Sequence, residues 1–203
     1  MARLPDLIEF AKLHGLKIGT IADLIQYRSA NETLVERVTE RIAHTAHGPF
    51  KLIAYRDKHG GQPHIAMVRG EISPDREALV RVHEPVTVLD LIETDEGTHS
   101  WPVGKAIEAI AAHGCGVLVL LNCAQPAADV FEQMQTLARF DADSQAREQV
   151  AQRAGKVDLR TYGIGAQILK DLNVGRMRLL ARPRKMPSMT GYDLEISGFE
   201  PGQ

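Results

Sequence analysis

The chain has 203 residues, 44% of them apolar and 25% charged, with Lys+Arg 24 against Asp+Glu 26 for a formal charge of −2. That length supports one sizeable core with room for a small appendage, and the near-neutral balance argues against a general nucleic-acid binder. No apolar run can span a bilayer, the start MARLPDLIEF is not a secretory signal, and two cysteines, Cys115 and Cys123, point to a reducing cytoplasm, not a disulfide framework.

Along the chain, Leu7, Ile8, Phe10 and Ala11 recur at helical spacing, and His14-Gly15 supplies a stop. A second helix opens at Thr20, an N-cap candidate with Asp23 placed for a near capping box. Asn31 is positioned to cap a third, with Val35, Val38 and Ile42 as its stripe. Residues 1–46 are thus expected to be helical, and too short to bury a core alone. From HGPFKLIAYRD onward the period changes: Phe50, Leu52 and Ala54 alternate with more polar neighbours, KHGG turns the chain, and PHIAMVRGE returns as a strand. EALVRVHEPV reads as a third strand, and three in succession predict a meander. VGKAIEAIAAHG reads as a helix with Ile107, Ile110 and Ala111 on one face and Gly114 closing it. CGVLVLLNC is apolar throughout, which suits a central buried strand. Residues 127–154 are helix-compatible, with Phe131, Met134, Leu137 and Ala138 as the stripe. TYGIGAQILKDLNV reads as a helix, RMRLLA as a strand, and YDLEISGFE as the last strand. Strands covered by helices predict an α/β fold with a mixed sheet.

The stretches FKLIAYRD, LVRVHE, DLRTYGIGAQILKDLNVGRMRLL and GYDLEI resemble GTP cyclohydrolase II, and the helix YGIGAQIL is the specific part of that likeness. DLIEFAKLHGLKIGTIADLIQYR resembles the closing residues of 3,4-dihydroxy-2-butanone 4-phosphate synthase, which precedes the cyclohydrolase domain in bifunctional riboflavin-biosynthesis proteins. The resemblance implies a helical synthase tail and linker over 1–46 and a cyclohydrolase II-like domain over 47–203, with the synthase's catalytic part lying before Met1. It also implies a zinc site built from cysteines, one after an R-V-H-x-x motif and a pair in a C-x-C. Thiolates hold such a metal and leave a position open to activate water. An ungapped match from Arg81 to Gly116 puts Val86, Gly97 and His99 at those positions, so zinc is expected to be lost. The family's R-Q-E-G-R-G is here NCAQPAAD, its later glutamine falls on Pro102, and its T-N-N-P-R-K becomes ARPRK with Ala181 in place of threonine.

Other parts of the family pattern persist. Asp158 and Arg160 match its D-x-R pair, implied to act as proton acceptor and as nucleophile toward phosphate. Arg81 and Lys185 match ligand-contacting positions. Asp158 and Arg160 also read as a salt bridge and cap at a helix start. Arg176, Arg178, Arg182, Arg184 and Lys185 form either an anion site or an ordinary strand face and loop. His83, His99, Cys115 and Cys123 lack a short ligand spacing, and Gly163 and Gly165 suit either a phosphate loop or close helix packing. The expectation is a degenerate cyclohydrolase II-like domain with a structural, dimerising or regulatory role. Its expected partners are a linked synthase domain and a second copy of the chain, with no nucleic acid and no membrane. The alternative is a zinc-independent enzyme or sensor of a nucleotide or phosphorylated intermediate.

Overall fold

The computed structural model describes residues 3–84, 100–124, 131, 135, 159–183 and 189–202. The N-terminal helices α1 (Leu4–Leu13) and α2 (Ile21–Asn31) form where the apolar spacing places them. Thr20 caps α2: its hydroxyl accepts from Asp23 N at 3.0 Å while the Asp23 carboxylate accepts from Thr20 N at 3.1 Å. That reciprocal pair satisfies two amides the helix start would otherwise leave bare. Gly15, at φ 63, turns the chain out of α1.

The helix expected around Val35, Val38 and Ile42 is a strand. β1 (Val35–Thr45) pairs antiparallel with β2 (Gly48–Asp57) from Val35↔Asp57 to Thr45↔Gly48. Val35, Val38, Thr39, Ile42 and Thr45 are β-branched, and such side chains favour the pleated conformation. A bulge between Arg37 and Thr39 interrupts the two-residue alternation, which is why the stretch mimics a helical stripe.

β2 continues into β3 (Pro63–Arg69), the predicted hairpin. The expected meander stops there. β4 (Ala78–His83) does not pair with β3; β5 (Gly116–Leu120) lies between them, antiparallel to β3 and parallel to β4. A parallel neighbour needs a crossover, and α3 (Val103–His113) supplies it. A second crossover through α4 (Leu159–Asp171) leads to β6 (Arg176–Leu180), on the other side of β4, and β7 (Glu195–Glu200) closes the row. The sheet order is β1-β2-β3-β5-β4-β6-β7, and the α/β fold with a mixed sheet is as expected. The helix assigned to 127–154 falls outside the described residues except at Phe131 and Gln135, both helical.

Alternation sorts the apolar side chains onto two faces. Ile53, Tyr55, Ala66, Val80, Val117 and Val119 pack against Ile164, Ile168 and Leu169 of α4. Phe50, Met67, Leu79 and Leu118 pack against Val103, Ala106 and Ile110 of α3. β5 is buried along its whole length, as a continuous apolar run between two covered faces should be. Gly116 lets β5 approach β4: a Cβ there would stand 2.3 Å from the Leu79 carbonyl oxygen.

Candidate active site

Parallel strands β4 and β5 end side by side, beside the start of α4, which is where open α/β sheets bind ligands. Arg81 and His83 share Leu79's face of the sheet, on the α3 side. Arg81 is 8% exposed; its Nη1 donates to the Leu180 carbonyl at 3.0 Å, and its Nη2 lies 3.4 Å from His83 Nδ1. The guanidinium is therefore built into the framework, tying the end of β4 to the end of β6.

The opposite face carries a second polar group. Glu84 follows β4, and its Oε1 accepts from the Asn122 side-chain amide and, at 3.4 Å, from the Thr161 hydroxyl in the first turn of α4. Asn122 follows β5 at φ 50, in the left-handed region. Its backbone N–H donates to His64 Nδ1 at 3.0 Å. That bond makes Nδ1 the acceptor and puts the proton of the neutral ring on Nε2. His64 is fully buried and, among the described residues, its Nε2 has no hydrogen-bond partner. Burial pushes the His64 pKa down, with the Asp57 carboxylate opposing the shift.

Of the expected site residues, Arg81 and Arg160 lie among the described ones. Arg160 stands in the first turn of α4, while the Arg81 side chain leaves the sheet on the face that α3 covers. Asp158 and Lys185 lie outside the described residues, as do Val86, Gly97, His99 and Arg184. Gly163 and Gly165 sit inside α4 and not in a loop. A Cβ at Gly163 would meet the Tyr192 hydroxyl at 3.1 Å, and one at Gly165 would meet Val82 at 3.4 Å, so close packing explains both. Arg176 and Arg178 are exposed on β6, as one of the two sequence readings has it. Arg178 pairs with Glu77 at 3.1 Å and lies 3.9 Å from Glu200, and Arg176 lies 3.6 Å from Glu195. Cys115 and Cys123 flank opposite ends of β5, with roughly 16 Å of strand between them. Cys115 Sγ donates to the Glu71 carbonyl and Cys123 Sγ to that of Leu120, each at 3.4 Å. Burial raises the Cys123 pKa, which works against the thiolate form.

Sequence reasoning missed His64 and Glu84. The signal for His64 was a polar residue at a core position of an alternating strand; Glu84, next to LVRVH, carried none beyond its place at a strand end.

The GTP cyclohydrolase II family model matches residues 36–201. The chain belongs to the GTP cyclohydrolase II family. The matched span starts one residue into β1, the strand that the sequence made a helix. A protein named 3,4-dihydroxy-2-butanone 4-phosphate synthase, from Neisseria meningitidis serogroup B, is 43% identical over 200 residues, which is 98% of this chain and 52% of that protein. The riboflavin biosynthesis protein RibBA of Aquifex aeolicus is 41% identical over 198 residues, 97% of this chain and 49% of its own length. The crystal structure of RibBX, described as a two-domain 3,4-dihydroxy-2-butanone 4-phosphate synthase from A. baumannii, aligns with TM-score 0.56 and 34% identity, over 98% of this chain and 50% of that one. The chain thus spans about half the length of the curated relatives it matches. Among the described residues no helix is long and apolar enough to cross a membrane.

Proposed function

We propose that this chain is a cyclohydrolase II-type domain that has lost zinc-dependent GTP hydrolysis and serves a riboflavin-biosynthesis fusion protein as a structural, dimerising or regulatory module. The observation that carries the reading is the donor set. The family's cysteine positions hold Val86, Gly97 and His99, and the chain has two cysteines in all. Valine and glycine offer no lone pair, and a single imidazole is a weak zinc site. Cys115 and Cys123 do not fit the metal either, since they sit at opposite ends of β5 and each donates to a backbone carbonyl.

The remaining contacts support the same reading. Asn122 and Pro126 stand within the stretch that carries the family's arginines and glutamate, and Pro126 removes a backbone donor. A pocket that discriminates guanine needs placed hydrogen-bonding groups, and their loss is costly to specificity. The names of the relatives fit as well: the two-domain RibBX is named as a 3,4-dihydroxy-2-butanone 4-phosphate synthase. On this reading residues 1–46 form the tail and linker of a synthase domain, and the cyclohydrolase-type domain packs on that synthase or on its own copy, in the cytoplasm.

The test is zinc content of the purified chain and GTP turnover with zinc added. We expect substoichiometric zinc and no turnover; about one zinc per chain together with turnover would defeat the proposal. In the longer protein, deleting the chain from residue 47 onward is expected to lower synthase stability or assembly, and unchanged synthase would remove the structural role.

A further inference from the structure

Among the described residues β1 is an edge strand, so one side of its backbone has no ladder partner there. Every side chain from Glu36 to Ile42 is exposed. Charges and a bulge normally blunt such an edge against pairing. In β1 they are arranged to favour one pairing. A strand that pairs antiparallel with its own copy, about a two-fold axis normal to the sheet, keeps each side chain on its own face. In a regular strand the opposed residues therefore differ by an even number of positions. The bulge between Arg37 and Thr39 shifts that count by one. Glu36, opposite Arg56, and Arg41, opposite Leu52, thus share the α3 face of the sheet. Arg37, opposite Tyr55, and Glu40, opposite Ile53, share the α4 face.

We propose that β1 pairs antiparallel with β1 of a second copy of this chain, with the two-fold axis between Val38 and Thr39. The stretch ERVTER, residues 36–41, is its own charge complement when reversed. In this register Glu36 of each copy faces Arg41 of the other, and Arg37 faces Glu40. Opposite charges facing across strands stabilise a pair, and like charges destabilise it. A register changed by one position would set Glu36 against Glu40 or Arg37 against Arg41, so the charges also specify the alignment. Arg37 and Glu40 are already engaged within the chain, with Asp171 at 2.7 Å and Lys51 at 2.9 Å. Glu36 and Arg41 form no ion pair among the described residues, and a second copy completes that pair twice. The inference rests on the function proposed above in one respect: it gives the dimerising role a surface.

The experiment is sedimentation velocity on the whole chain from about 1 to 100 μM, for the wild type, Glu36→Arg, Arg41→Glu and the double swap. We expect a wild-type dimer within that range, weakened about tenfold or more by each single reversal and restored to within about threefold by the double swap. A monomeric wild type, single reversals within about threefold of it, or a double swap no better than the singles would overturn the proposal. Cysteine cross-linking reads the register without changing the charges. Thr39→Cys lies beside the axis, with Cα roughly 6 Å from its own copy, within disulfide reach. It should cross-link at least about tenfold faster than Glu195→Cys on β7, at the other end of the sheet order. Equal rates would overturn the pairing, and this result decides if a reversal unfolds the chain. A dimer that fails both tests sinks this inference alone. Zinc-dependent GTP turnover by the wild type sinks the function proposed above and leaves the pairing standing.

Discussion

His64 joins burial, a fixed tautomer and a donor without a partner among the described residues in one side chain. Its folded pKa is depressed by burial, so the unfolded chain binds the proton more readily. The stability contribution is therefore complete above the unfolded value of about 6.5 and is lost as pH falls through that value toward the folded one. Chemical denaturation from pH 7.5 to 5 is expected to show this loss, with a limiting slope of about 1.4 kcal/mol per pH unit from this one group. His64→Gln should flatten that slope, and an unchanged slope would acquit the residue. Truncation to His64→Ala also strands the Asn122 amide, at a cost of about 2–3 kcal/mol. Arg176 and Arg178 are the contrasting case. Their ion pairs are solvent-exposed, and replacing either arginine with glutamine should move stability by less than about 1 kcal/mol.

Among the elements, α4 is tied to distant parts of the chain by two of its polar side chains. Gln167, buried within it, accepts from Leu34 N at 2.5 Å and donates to the Glu32 carbonyl at 2.9 Å. It thereby pins the link between α2 and β1 to the core. One turn further on, at the C-terminal end of α4, Asp171 Oδ2 accepts from Arg37 Nε at 2.7 Å and from Tyr55 Oη at 2.6 Å. Burial first, then that bond, raises the tyrosine pKa. Gln167→Leu keeps the bulk and removes both linker bonds. It is expected to cost about 1–3 kcal/mol and to speed hydrogen exchange at the Leu34 amide, while exchange within β5 changes only with global stability. Gly116→Ala sets a methyl against the Leu79 carbonyl and should cost at least about 3 kcal/mol, read as a drop in melting temperature.

Legibility at this scale followed the kind of signal. α1, α2, α3, α4 and the buried β5 were readable because caps, spacing and an unbroken apolar run are local. β1 was not, because a bulge disguised its period and its pairing with β2 decides its conformation. The neighbour of β3 was hidden for a related reason: nothing in residues 63–83 announces that β5 will insert there. In the site, family motifs pointed to Arg81, but its bond to the Leu180 carbonyl was not legible because it joins residues 99 apart along the chain. Glu84 matters through Asn122 and Thr161, 38 and 77 residues away along the chain.

At the scale of the whole molecule, the N-terminal helices expose an apolar surface. Leu7, Phe10, Leu13, Ile21, Leu24 and Tyr27 are all more than two-fifths exposed, and within α1 only Ala11 is buried. Surface of this kind binds ANS, and removing residues 3–31 is expected to lower ANS fluorescence by about half or more. Equal fluorescence from the two chains would place the dye site elsewhere.

The position of β5 also sets an order of assembly. Its partners β3 and β4 leave the ribosome dozens of residues before it does. The β1–β2–β3 portion can zip up from sequence neighbours, but β4 has no place to dock until residue 120 emerges. During synthesis the nascent sheet therefore waits with two apolar edges open, and those edges are where premature contacts with other chains would begin.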